Sequence, residues 1–428
     1  MRSSGKLKYK WIEVIEIMNL PSFALLLSLI AIPAFSAEGL RALPDTAEAM
    51  GMIGGRLAVT DDASVIRHNP ATLADFTDTL LTVTYQPWYG KTDFTGSLGQ
   101  TDSMIHPWKH TGSLYLAHSL NEEVTLGFGV NAPFGVAISW PETGAFRYEG
   151  ASDVSLQTIA FNPAVGLKIN DEVSVGLGLD IYRSDLNLRQ RFPWALVVSA
   201  PVPDGTMNFE GNGWGIGGYL GINFKLSDRH QLALTGRLPV SVDYEGDFTI
   251  DNIPDPTAAL PTSRFTSEIE HPGSVGVGYA FTATERLTFG LDFEWIQNST
   301  HDDVPLNIGT NQPLLNGKTA VPLAWEDSIS VGFGVEYQWV EKLTLRAGYL
   351  YSDTPMSETT WNPAIPADDR HIFSLGFEYS WDECNTIDFA YSLIHMPNSK
   401  ITNNVTPAFN GMYSYSWDIL TLSYSRRF

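Results

Sequence analysis

Along most of this 428-residue chain, apolar side chains recur at every second position. In Arg286–Trp295, Leu287, Phe289, Leu291, Phe293 and Trp295 share one face, and Thr288, Gly290, Asp292 and Glu294 share the other. Ser328–Tyr337 repeats the alternation, as do Leu343–Tyr351 and Ile387–Leu393. A period of two is the signature of a strand, whose successive side chains point to opposite faces. A helix would space its apolar residues at three and four. Fourteen such segments follow residue 77, starting near Thr79, Lys109, Glu122, Ser152, Glu172, Met207, Arg229, Phe265, Arg286, Leu323, Lys342, Arg370, Thr386 and Ser414.

The connections alternate in length. Short turns fall at Asn121-Glu122, Asn170-Asp171, Ser227-Asp228, Thr282–Glu285, Trp339–Glu341 and Trp381–Glu383. Long connections rich in Pro, Asn and Thr fall near 89–108, 132–151, 189–206, 250–264, 298–321, 354–369 and 397–413. Short turns on one side and long loops on the other, with one apolar face, predict an all-β fold: a membrane-spanning antiparallel β-barrel of about fourteen strands over 78–428. The bilayer demands closure, because an exposed sheet edge would leave backbone groups unpaired in lipid. A soluble sandwich or propeller is the competing architecture; the large, aromatic-rich outward face weighs against it. The last strand ends at Phe428, with Tyr424, Leu422 and Leu420 on the same face. A terminal aromatic of this kind resembles the closing strand of bacterial outer-membrane barrels.

Residues 37–77 do not alternate. They hold Met50, Ile53, Leu57, Val65, Ile66 and Leu73, too apolar a set for a free polar tail. The segment reads as a hatch in the barrel lumen. The apolar run Phe23 to Phe35, preceded by Arg2, Lys6, Lys8 and Lys10 and followed by small residues, reads as a signal peptide over 1–36, with Met18 as an alternative start. An uncleaved anchor helix is the other reading of that run.

Composition narrows the function. There are 26 basic and 48 acidic residues, a net charge of −22, which excludes a duplex-binding protein. One cysteine, Cys384, leaves no intrachain disulfide and no Cys-based zinc site. The histidines are scattered, so no metal or cofactor is expected. A hydrolase would need a nucleophile beside a base; His118-Ser119 and His371 are the nearest candidates, and neither stands in an activating constellation. A general porin would carry a charged constriction and no hatch.

Several stretches in order resemble one family, the outer-membrane transporters of long-chain fatty acids and related hydrophobic compounds. They are Asp61-Asp62-Ala63-Ser64 with Asn69-Pro70-Ala71, then Gly127-Phe128-Gly129-Val130-Asn131-Ala132-Pro133-Phe134-Gly135, Arg147-Tyr148, Asn162-Pro163-Ala164 and Gly213-Trp214-Gly215. Trp325-Glu326-Asp327-Ser328, Leu345-Arg346-Ala347-Gly348-Tyr349, Asp353-Thr354-Pro355 and Ile365–His371 continue the series. The resemblance runs from about residue 38 to the C-terminus. It implies a monomeric barrel in the outer membrane of a Gram-negative bacterium, folded by the barrel assembly machinery and surrounded by lipopolysaccharide. It also implies passive uptake: capture among the outer loops, then lateral exit at a kink in the third strand beside the hatch.

On that basis Asn69, Pro70 and Ala71 of the hatch, with Gly127, Gly129, Pro133 and Gly135 of the third strand, are expected to gate the exit. Gly and Pro weaken or bend strands; ordinary glycine packing is the alternative. Phe134 and the apolar outer-loop run Phe192, Trp194 and Leu196 are candidate ligand contacts. Arg183, Arg189 and Arg191 flank that run and could meet a carboxylate. Binding of lipopolysaccharide phosphate or pairing with lumen acids are the alternatives for these arginines. One departure concerns cargo. Glu326 stands where fatty-acid transporters of this family are expected to carry a basic residue. The predicted lumen face also sets Asp180, Asp292, Glu294, Glu336 and Asp388 against Arg346. Neutral or aromatic hydrocarbons therefore remain open beside fatty acids.

Overall fold

The computed structural model describes residues 39–309, 312 and 318–428. The signal-peptide reading of 1–36 falls outside them. Fourteen antiparallel strands close into a barrel. They are β1 (Thr79–Gly96), β2 (Trp108–Ser119), β3 (Val124–Ser139), β4 (Asp153–Lys168), β5 (Val173–Phe192), β6 (Gly205–Ser227), β7 (His230–Arg237 continued by Val240–Ile250), β8 (Thr262–His271 continued by Ser274–Thr284), β9 (Leu287–Ile296), β10 (Ser328–Val340), β11 (Leu343–Ser352), β12 (Arg370–Ser380), β13 (Asn385–His395) and β14 (Gly411–Arg427). β14 returns to β1, in register from Leu80↔Arg427 to Gly96↔Gly411, so the ladder has no free edge at the seam.

The alternation explains which face each side chain takes. On β9, Leu291, Phe293 and Trp295 are exposed on the outer wall, whereas Asp292 and Glu294 are buried in the lumen. On β14, Leu420 and Leu422 face out and Thr421, Ser423 and Ser425 face in. The tight turns are set by short polar side chains that satisfy the chain's own amides. Asn121 Oδ1 accepts from the amides of Glu123 (2.9 Å) and Val124 (3.0 Å), and Asn170 Oδ1 does the same for Glu172 and Val173, both at 2.8 Å.

Several predicted boundaries need correction. The connection assigned to 132–151 is shortened because β3 runs to Ser139, and the one assigned to 298–321 holds a paired hairpin, Asp303–Ile308 with Lys318–Pro322. The connection assigned to 89–108 is largely sheet, because β1 runs to Gly96 and Thr101–Ser103 pairs back onto it. The connection assigned to 189–206 shrinks to the stretch between Phe192 and Gly205. There Trp194–Val198 forms a short helix, α4. The tenth strand starts at Ser328 rather than Leu323. Leu323 and Trp325 bury their side chains inward, and Ala324 between them takes a positive φ of 47°, which no strand accommodates.

The N-terminal segment lies inside the cylinder as three short helices, α1 (Ala47–Gly51), α2 (Arg56–Val59) and α3 (Val65–His68), followed by a 3-10 turn at Pro70–Asp75. It seats backbone to backbone. A Cβ at Gly54 would come within 2.0 Å of the Phe333 amide nitrogen, and one at Gly176 within 2.1 Å of the Pro70 carbonyl carbon. Glycine is required at such approaches, since any side chain would lift the segment off the wall.

Candidate functional site

The wall is discontinuous at β3. The β2–β3 ladder runs from Ser119↔Thr125 to Leu114↔Val130 and stops. Above it, Trp108–Ser113 pairs with β1, and Asn131–Ser139 pairs with β4 after a register shift between Asn131 and Phe134. From Gly129 to Trp140 the in–out alternation is lost and every residue is buried, so this half of β3 turns into the lumen. Its bared backbone finds a substitute partner in residues 40–42. The Ala42 amide donates to Pro133 O (2.9 Å), the Gly135 amide donates to Leu40 O (3.0 Å), and Arg41 bridges Phe134. Without that substitute, β3 would carry unpaired amides and carbonyls in the interior.

An apolar cavity of about 370 Å³ opens toward the outer end of the barrel. Val136 of β3, Leu156 of β4, Leu186 of β5, Phe209 of β6 and Ile269 of β8 form its wall side. Leu306, Leu323, Trp361 and Phe409 from the outer connections cover it. The charged residue on its lining, Glu149, is exposed. Below it, the Phe134 and His271 rings stack at 4.4 Å, and Tyr182 meets Phe134 edge-on at 5.8 Å.

Beneath this stack the charges interlock. Arg41 donates to Glu294 (2.8 Å), Arg56 pairs with both Glu294 and Asp292, Arg67 lies 3.3 Å from Asp45, and Arg237 pairs with Asp180. Further down, Arg346 reaches Glu336 (2.7 Å), Glu378 (2.6 Å) and Asp388 (2.6 Å). The lumen acids were legible in the strands. Arg346 was read with them, but Arg41 and Arg56 were not, because they come from the N-terminal segment, where no periodicity says which way a side chain points; Arg237, at a break between two strand segments, was missed as well. The acids beneath the stack are thus paired off, whereas the lower cluster stays acidic, with Arg346 set among Glu336, Glu378 and Asp388. Glu326 is exposed and faces neither cavity; Trp325 turns inward in its place.

The proposed site residues divide. Phe134, Pro133 and Gly135 sit where β3 turns inward. Gly127 and Gly129 lie lower, in regular ladder, and serve packing: a Cβ on Gly127 would meet Ile66 at 2.6 Å, and one on Gly129 would meet Tyr115 at 2.7 Å. Asn69, Pro70 and Ala71 rest on β5 and β6, away from the β3 turn. Asn69 Nδ2 donates to Leu57 O (2.9 Å) and Asn223 Oδ1 (2.6 Å). The residues that touch the inward half of β3 are instead Leu40, Arg41 and Ala42, missed for want of any motif.

The outer-loop candidates pack among themselves. Trp194 is fully buried, meets the Phe192 ring edge-on at 4.8 Å and donates Nε1–H to Asp251 O. Leu196 is exposed. Arg183 lies on the outer wall, pairs with Asp185 (3.0 Å) and covers the Trp214 ring. Arg189 pairs with Glu142 (2.9 Å), and Arg191 donates to Thr206 Oγ1 (2.7 Å). None of these arginines lines the apolar cavity. His118 Nδ1 bonds to Thr79 Oγ1, Ser119 donates to Asn121 O, and His371 Nδ1 meets Tyr349 Oη on the outer wall. None of these bonds activates a nucleophile.

Comparison with known proteins places this architecture. Residues 28–428 match the family model described as outer membrane protein transport protein (OMPP1/FadL/TodX). The chain belongs to this family. It is 25% identical over 420 residues to a putative outer membrane protein of Neisseria meningitidis, covering 86% of this chain and 90% of that one. It is also 25% identical over 407 residues to the long-chain fatty acid transport protein of an Escherichia coli O6:H1 strain, covering 85% and 87%. Among solved structures, a FadL homologue of Pseudomonas aeruginosa superimposes with a TM-score of 0.79 at 19% identity, over 91% of this chain and 99% of that one. The toluene transporter TodX of P. putida gives 0.72 at 21%, over 90% and 99%. At these identities the superpositions establish the fold. The OMPP1/FadL/TodX chain described here is therefore an outer-membrane transport barrel.

Proposed function

We propose that this barrel passes hydrophobic molecules across the outer membrane without energy input. Cargo is held first in the apolar cavity under the outer loops and leaves sideways through the interrupted β2–β3 ladder. The observation that carries the reading is that cavity: about 370 Å³ walled by aliphatic and aromatic side chains, above a lumen crossed by buried ion pairs. A molecule expelled by water partitions into it by the hydrophobic effect, at about 25 cal/mol per Å² of apolar surface removed from water. The break in the ladder supports the exit, since lipid can be reached there without tearing hydrogen bonds between β2 and β3.

Long-chain fatty acids or similar molecules suit the cavity, and several relatives are long-chain fatty acid transport proteins. A specific observation favours uncharged hydrocarbon as the second reading: the lumen arginines described above all have carboxylate partners, and Arg183, Arg189 and Arg191 stand off the cavity. Phe192, Trp194 and Leu196 then act as the roof of the outer loops. Leu186→Glu tests the cavity. A carboxylate there costs several kcal/mol to desolvate. Uptake of a radiolabelled long alkane or oleate by cells should fall at least tenfold at equal surface abundance. Unchanged uptake would move the route elsewhere.

A further inference from the structure

We propose that a second, smaller cavity receives the polar end of the cargo, and that this end is a neutral hydrogen-bonding group such as a hydroxyl or carbonyl. The proposal rests on the transport reading above for the cargo's apolar body. The cavity, of about 40 Å³, lies below the Phe134–His271 stack. Arg41, His68, Phe134, Tyr219, Arg237 and Glu294 are among its walls. The two cavities adjoin along the same strands. On β3, Phe134 borders the lower one and Val136 the upper; on β8, Pro272 borders the lower and Ile269 the upper. The stacked rings form a partition one side chain thick.

Two neutral polar atoms on this lower cavity lack partners, and beside them Arg67 Nη1 has its 3.3 Å ion pair with Asp45 but no hydrogen bond. Tyr219 is 5% exposed, and its buried hydroxyl has no hydrogen bond. His68 Nε2 is likewise buried without a partner. Leaving such groups unsatisfied forfeits their hydration with nothing in return, so the geometry calls for an occupant that offers a donor and an acceptor. The size admits one water or one small head group.

Charge selects between head groups. The cations around these atoms are already engaged: Arg237, over the Tyr219 ring, holds Asp180, Arg41 and Arg56 hold Glu294, and Arg67, which also lines the cavity, holds Asp45. Burial, together with those arginines, holds the His68 imidazole well below its ordinary range, so it adds no positive charge. A carboxylate entering here would be an additional anion without a counter-charge. A hydroxyl would satisfy both orphan atoms at no electrostatic cost.

The test is calorimetric titration of the full-length protein in amphipol with 1-dodecanol, dodecane and dodecanoate at pH 8. Tyr219→Phe keeps the ring under Arg237, whose guanidinium lies 4.3 Å from the ring centroid, and removes only the hydroxyl. It should weaken dodecanol binding roughly five- to tenfold, the effect of one lost hydrogen bond, with dodecane unchanged. His68→Leu should act the same way. Retained heat-modifiable gel mobility controls for folding. Unaltered dodecanol affinity in both variants would mean that the cavity holds only water, and would overturn the proposal. So would dodecanoate binding more tightly than dodecanol in the parent. Failure of dodecane to bind at all would instead sink the apolar-cavity reading, while the Tyr219 comparison would still report on the head-group site.

Discussion

Glu48 shows how a single residue of the N-terminal segment is tied to conditions. It is buried in α1, accepts the Asp61 amide at 2.9 Å, and faces Arg346 across a gap already crowded by Glu336, Glu378 and Asp388. Burial, reinforced by Asp61, raises its pKa well above the usual carboxylate value, against the pull of Arg346. The folded pKa is therefore above the unfolded one. Protonation stabilises the fold fully below about pH 4.5, and that contribution is lost as pH rises through the raised value. Glu48→Gln mimics the protonated form at every pH. It should melt with the parent at pH 4.5 and at a higher temperature than the parent at pH 9, as read by tryptophan fluorescence. A variant that melts lower at pH 9 would show that Glu48 is held ionised by Arg346. At this scale the sequence was partly legible. Inward acids such as Asp292 and Glu294 followed from strand parity, but the arginines that neutralise them did not. Their direction is fixed by tertiary packing of an irregular segment, and no local period encodes that.

At the scale of elements, the strands were legible because lipid and lumen impose opposite solvents on alternate residues. The twelfth strand starts at Arg370 as read, and the eleventh and thirteenth within one residue of the expected points. The misses occurred above the membrane, where that constraint lapses. β6 spans 23 residues and β5 spans 20, longer than the roughly 9–11 that a bilayer requires. The kink in β3 was expected from the family resemblance, with Gly and Pro content consistent with it, but its cause lies at Asn131–Phe134 and in the partner strand supplied by residues 40–42. This gives a direct test of the exit. Deleting Ala132 and Pro133 removes two residues, so the in–out parity of β3 is kept. The shortened strand can then pair with β2 and close the wall. Uptake of a hydrophobic tracer should drop at least tenfold while the purified protein still binds dodecane in the apolar cavity. If uptake persists, cargo leaves past the N-terminal segment into the wide polar chamber of about 1090 Å³ at the short-turn end, where Lys342, Asp382 and Arg426 stand.

At the scale of the whole molecule, the outward faces define where the bilayer sits. On β9 the outward residues run from Leu287, beside the short turn, to Trp295, with Leu291 midway. Eight residues at about 3.4 Å each, tilted as barrel strands are, span roughly 20 Å of bilayer normal, close to the apolar band of such barrels. Trp214 on β6 and Trp295 on β9 are exposed on the wall toward the outer end. Exposed acids Asp243 and Glu268 lie level with Trp214 and Glu245 lies beyond it on β7 and β8, where the wall leaves the hydrocarbon. This placement predicts a depth profile. Leu291→Lys should destabilise the folded barrel in lipid vesicles by about 2–4 kcal/mol, the cost of a lysine at the bilayer midplane, and Trp214→Lys by about 0–1 kcal/mol beyond its lost ring packing. Equilibrium unfolding in guanidinium, followed by tryptophan emission, measures both. Equal costs at the two positions would mean that the membrane is centred nearer the level of Trp214. The apolar cavity and the β3 opening would then lie within the hydrocarbon rather than at its outer boundary. Cargo would enter the bilayer core directly instead of beneath the lipopolysaccharide head groups.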